Sequence, residues 1–159
     1  MALKVAHEHP RLISKLILIR PPPNPLPDAG VQGSHARAAL VRAEGMDAAV
    51  DAVDSAGTSE KTKSSNLVAL RTVRISLLGQ TSEGDAKACT ALAEALAVNV
   101  GSIQAKTVII TGAEDKIRPP QVCEGYKQKM PNVIHMEVLE DVEHWHMFED
   151  SAGVLRGMG

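Results

Sequence analysis

Apolar and polar positions fall into two regimes along this chain. Met1, Leu3, Val5 and Ala6 fit the last turns of a helix that ends at His7-Glu8-His9 and the breaker Pro10. Leu12–Ile19 is a nearly unbroken, branched apolar run, which predicts a strand buried on both faces of a parallel sheet. It stops at Arg20-Pro21-Pro22-Pro23-Asn24-Pro25-Leu26-Pro27, where fixed φ angles and missing donors forbid further pairing and a rigid connector is expected. From Asp28 to Ala97 the pattern becomes Ala-rich and weakly amphipathic, interrupted by glycines. The spacing predicts helices over 36–53, 66–78 and 85–97, with a solvated loop over 58–65. Strand character then returns in Lys106–Thr111 and Val133–Leu139. Between them the pattern gives a helix over 121–130, opened by Pro119-Pro120; a short closing helix is expected over 147–155. Strands separated by helices predict an α/β fold with a parallel sheet, the helical segment being inserted after the first strand.

Composition narrows the functional classes. The 159 residues suit one domain, and 44% apolar with 23% charged residues reads as a globular chain. A net charge of −2 leaves no basic footprint, so neither nucleic acid nor an anionic membrane is expected as a partner. No apolar run approaches the roughly 20 residues of a membrane-spanning helix. The first residues lack a basic-then-apolar signal pattern. Cys89 and Cys123 stand far apart and form neither a zinc signature nor a disulfide framework, so a reduced, cytoplasmic setting is expected. Both are expected in helices as small buried hydrophobes. His7, His9, His35, His135 and His146 show no metal-ligand spacing, and no metal or cofactor is expected. Tyr126, Trp145 and Phe148 are the only aromatics, which leaves an aliphatic core.

In open parallel sheets functional groups gather at the carboxyl ends of the strands. Asp115 follows the strand at 106–111, and His144 follows the strand at 133–139. Taken singly, an Asp in a Gly-containing turn is a turn residue and a lone loop His is a solvated one. If the two strands are neighbours, however, the two loops meet, and a carboxylate beside an imidazole fixes its tautomer and stabilises the imidazolium. The stretch Thr107-Val108-Ile109-Ile110-Thr111-Gly112-Ala113-Glu114-Asp115 resembles the acid-bearing strand and turn of α/β-hydrolase fold enzymes. Leu139-Glu140-Asp141-Val142-Glu143-His144-Trp145-His146-Met147-Phe148-Glu149 resembles their catalytic-histidine loop and final helix. Residues 2–10 with Ile13–Ile19 resemble the helix after the nucleophile and the next strand, and 28–97 sits where that fold carries its cap.

This resemblance implies a partial α/β-hydrolase fold: a sheet remnant of about three strands, residues 1–20 and 98–159 forming the core and 21–97 a helical cap insertion. It is nearest the small serine esterases and enol-lactone hydrolases. It implies His144 as general base then acid, Asp115 as its orienter, no cofactor, and a small-molecule ester or lactone as substrate. Two departures stand out. No G-x-S-x-G occurs in the 159 residues, and Ser34 and Ser102 read as loop serines, so the nucleophile and oxyanion donors are expected from elsewhere, in a longer polypeptide or, for the nucleophile, on a partner chain. Glu143 occupies a position where the family usually carries glycine, and a solvent-facing side chain is expected there. Trp145, with Met147 and Phe148, could line an acyl pocket, although a role as core anchors is the leading expectation. The alternative to catalysis is a truncated, non-catalytic relative that associates through the exposed edge of the strand at 12–19.

Overall fold

The most apolar strand becomes the centre of the sheet. The computed structural model describes all of residues 1–159. In it β2 (Lys106–Gly112) is buried along its length after Lys106, as the continuous Thr-Val-Ile-Ile-Thr run requires of a strand covered on both faces. It is flanked in parallel by β1 (Lys15–Ile19) and β3 (Val133–Leu139), giving the order β1-β2-β3. Ile19 lies opposite Ile110, and Gly112 opposite Leu139. All three strands therefore finish at one end of the sheet.

The helices follow from the breakers. α1 (Ala2–Glu8) precedes β1 and buries Ala6. Between β1 and β2 come α2 (Asp28–Glu44), α3 (Asp47–Gly57), α4 (Glu60–Ser65), α5 (Leu67–Leu78) and α6 (Ser82–Ala93). After β2, Pro120 opens α7 (Pro120–Lys129), its missing N–H falling where a helix has no internal partner for one. The chain ends in α8 (His146–Glu149) and α9 (Ser151–Met158). One face of the sheet packs Leu16, Leu18 and Ile109 against Ala6, Ile103, Cys123 and Tyr126; the other packs Val108 and Ile110 against Leu139, Val142 and Val154. The inserted helices hold their own aliphatic cores, Ala38, Val41, Met46, Ala49 and Ala86 in one and Val50, Val73 and Leu77 in the other. Each such isoleucine or valine contributes about 1.5–3 kcal/mol relative to exposure.

Several expectations are corrected. The helix expected over 36–53 is two helices, because Gly45 adopts φ 88°, a conformation that ends α2 and is readily available only to glycine. The expected solvated loop over 58–65 is largely α4, with Thr58, Ser59 and Thr62 buried. Ser59 caps that helix through Thr62 N–H, a signal hidden by the polarity of the segment. The third inserted helix begins at Ser82, capped by Thr81, and ends at Ala93, not over 85–97. β1 starts at Lys15, and Leu12 ahead of it is 76% exposed. That strand is not covered on both faces: Lys15 and Ile17 are exposed while Leu16 and Leu18 are buried. The closing helix breaks at Asp150, whose carboxylate caps α9 at Gly153 N–H. Met147 is exposed and anchors no core, whereas Trp145 and Phe148 pack on the Val50–Val73–Leu77 cluster. Cys123 is buried as expected, but Cys89 only partly so.

Candidate active site

Backbone hydrogen bonds fasten the turn after β2 to the loop after β3. Ala113 N–H donates to Leu139 O at 2.9 Å and Glu114 N–H to Val142 O at 3.0 Å. Gly112 lies so close to the Val142 and Glu143 carbonyls that no Cβ fits there. These contacts bring Asp115 to His144. The Asp115 carboxylate sits 3.0 and 3.2 Å from His144 Nδ1 and also accepts the Arg118 N–H at 2.6 Å. Both residues are buried, Asp115 at 2% and His144 at 6% exposure. With Asp115 accepting from Nδ1–H, the second nitrogen Nε2 is left as the basic atom; it makes no hydrogen bond within the chain and is not among the enclosed unpartnered atoms.

The histidine loop is tied from two further sides. His144 N–H donates to Gly57 O at 3.1 Å, at the end of α3. The Glu149 carboxylate accepts the N–H groups of Glu143 and Trp145 through one oxygen and that of Ser59 through the other, at 2.9–3.2 Å. Glu143, expected to face solvent, is instead 2% exposed; its Oε1 accepts Lys116 N–H at 2.8 Å, closing the acid turn on the histidine loop from behind. Burial pushes its carboxyl above the usual value, against the help of that N–H. Nothing about residue type marked this position as internal; only the packing of two loops places it there. His146 is also buried, its Nδ1–H donating to His144 O at 2.8 Å.

Arg20 is the participant that sequence reading assigned to the connector alone. It follows the last residue of β1, in the left-handed region at φ 45°, so it arrives at the same strand ends as Asp115 and His144. Its guanidinium lies over the Trp145 ring at 5.0 Å, and that ring meets the His144 ring edge-on with centroids 5.6 Å apart. Arg118 donates to the Arg20 carbonyl at 2.8 Å. The signal that could have found Arg20 was its place at a strand's carboxyl end. Burial lowers the His144 pKa below its ordinary value, and the cations of Arg20 and Arg118 act the same way while Asp115 opposes them. The balance favours the neutral imidazole that a base requires.

Two surface recesses lie along α7 and the turn that leads into it. One of about 380 Å³ runs past Asp115 between Ala113 and Pro120, and one of about 230 Å³ lies between Pro23–Pro25 and α7; His144 lines neither. No three His, Cys, Asp or Glu side chains are grouped to hold a metal ion. No helix is long and apolar enough to cross a membrane.

No protein-family model matches the sequence, and no curated protein matches it. Solved structures do. The malate-bound esterase of Thermogutta terrifontis superposes with a TM-score of 0.90 at 21% identity, over 99% of this chain and 58% of its own. The enol-lactonase of Burkholderia xenovorans gives 0.82 at 21% identity, over 99% and 59%. MenH of S. aureus gives 0.79 at 19%, over 99% and 65%. This is the α/β-hydrolase fold. The chain spans about three fifths of the length of these structures, so it carries part of the α/β-hydrolase architecture: a three-stranded parallel sheet with helices between and around its strands.

Proposed function

We propose that this chain supplies the acid and base of a serine hydrolase acting on small carboxylic esters or lactones. The single observation that carries this reading is the buried Asp115–His144 pair at the strand ends, with Nδ1 engaged and Nε2 free. The esterase and lactonase neighbours support it. A serine hydroxyl supplied from outside these 159 residues would give its proton to His144 Nε2 as Oγ attacks the substrate carbonyl. Asp115 stabilises the imidazolium so formed. That proton then passes to the leaving alkoxide oxygen as the C–O bond breaks, leaving an acyl-serine. Water attacks the acyl carbon, again giving its proton to Nε2; collapse releases the acid and returns that proton to the serine. The oxyanion donors, like the serine, would be supplied from outside these 159 residues.

The test is labelling of the native protein, as its own cells make it, with a serine-reactive fluorophosphonate. Labelling is expected, His144→Ala is expected to abolish it, and Asp115→Asn to slow it by about three to four orders of magnitude. A protein that stays unlabelled, or is labelled at the same rate after His144→Ala, sinks the reading.

A further inference from the structure

Arg20 holds five N–H donors and a positive charge in a partly buried position, yet its guanidinium makes no hydrogen bond and no ion pair within the chain. The carboxylate whose charge reaches it, Asp115, is already engaged by His144 and by the Arg118 N–H. A partly desolvated charge without a counter-charge is costly, and it persists when something else balances it in the working state. The group is nevertheless held in place. The Arg20 backbone is pinned on both sides, its carbonyl accepting from Arg118 and its main-chain N–H donating to Ile110 O at 2.8 Å, and the guanidinium lies over the Trp145 ring. A positive φ at a non-glycine residue adds backbone strain that the surroundings maintain.

A fixed, planar guanidinium fork with free donors matches the two oxygens of a carboxylate. We infer that Arg20 binds a substrate carboxylate beside His144, so that the site takes esters or lactones whose acyl part carries a free carboxylate a short chain away from the reacting carbonyl. The spacing follows from Trp145, whose ring lies 5.0 Å from the Arg20 guanidinium and 5.6 Å from the His144 ring. The charge state agrees: burial and the neighbouring Arg118 lower the Arg20 pKa only to about 10, so it remains a cation at neutral pH.

The inference rests on the hydrolase reading for its role in turnover, but binding can be measured without turnover. Calorimetric titrations of the native protein at pH 7 compare succinamate, with one carboxylate and one amide, against the neutral diamide succinamide. Neither is an ester, so neither is consumed. Succinamate is expected to bind at least tenfold tighter. Arg20→Gln should bring the ratio to within about twofold, and Arg20→Lys should retain part of it, through charge without the planar fork. If Arg20→Gln does not fold, Arg20→Lys alone still decides, because an undiminished ratio there removes the bidentate fork. Equal binding of both compounds, no measurable binding of succinamate, or a preference untouched by both variants overturns the inference. Fluorophosphonate labelling separates the two ideas. A labelled protein indifferent to the carboxylate loses only the Arg20 assignment, and an unlabelled one that binds succinamate through Arg20 loses only the hydrolase reading.

Discussion

His144 and His146 lie side by side in the loop after β3, and burial is the first cause holding each imidazole below its ordinary pKa of 6.5. The sign for stability follows directly. Below about 6.5 the unfolded chain takes up protons that the folded chain refuses, so the contribution is complete above that value and is lost as pH falls through the folded values. Glu143 and Asp54 are raised by burial and act oppositely: their contribution is present below the ordinary values of 4.5 and 3.8 and lost as pH rises through the folded ones. Of these groups, the two histidines are the ones whose contribution is lost as pH falls from 7 to 5.5. The thermal midpoint is expected to fall over that interval, and His146→Asn, which can still donate to His144 O, should flatten the fall. Equal midpoints for the parent protein at pH 7 and 5.5 would refute this.

Two loops make the candidate site, and each is held by a contact that one substitution removes. Gly112, the last residue of β2, admits no side chain because the Val142 and Glu143 carbonyls occupy the space. Gly112→Ala must push the histidine loop off the strand end. A loss of about 3 kcal/mol or more is expected, visible as a lower urea midpoint and as a broken Asp115–His144 contact. Glu149 acts at the other side, where one carboxylate serves three N–H groups and joins the start of α4 to the histidine loop. Removing it leaves those donors without an acceptor. Glu149→Ala should cost about 3 kcal/mol, lowering the thermal midpoint by roughly 6–12 °C in a chain of this size. Glu149→Gln, which keeps one carbonyl oxygen, should lose less. A midpoint unchanged by Glu149→Ala would show that the loop is held by other contacts.

At the scale of the whole molecule, β1 pairs only with β2 and presents an unpaired edge. Ile17, on its exposed face, is 38% accessible. An apolar parallel edge invites pairing with another strand. When the 159-residue chain is made alone, sedimentation is expected to reveal self-association that Ile17→Lys weakens. A monomer at all concentrations would remove this proposal.

The amino-acid sequence by itself determined β2 and β3, because Thr107–Thr111 and Val133–Leu139 carry branched residues between strong breakers, and period and propensity agree there. It also placed Asp115 and His144 at strand ends, since chain order alone puts each just after a strand. It could not decide which polar residues turn inward. Thr58, Ser59 and Thr62 are buried with hydrogen-bond partners from their own turn, and Glu143 is buried with Oε1 accepting Lys116 N–H; a one-dimensional pattern counts only their polarity. Nor could it bring Arg20 to His144. His144 stands 124 positions after Arg20, with all the inserted helices, β2, α7 and β3 between them. Only the parallel alignment of three strands, fixed by Ile19 opposite Ile110 and Gly112 opposite Leu139, sets the arginine, the acid and the base at one edge.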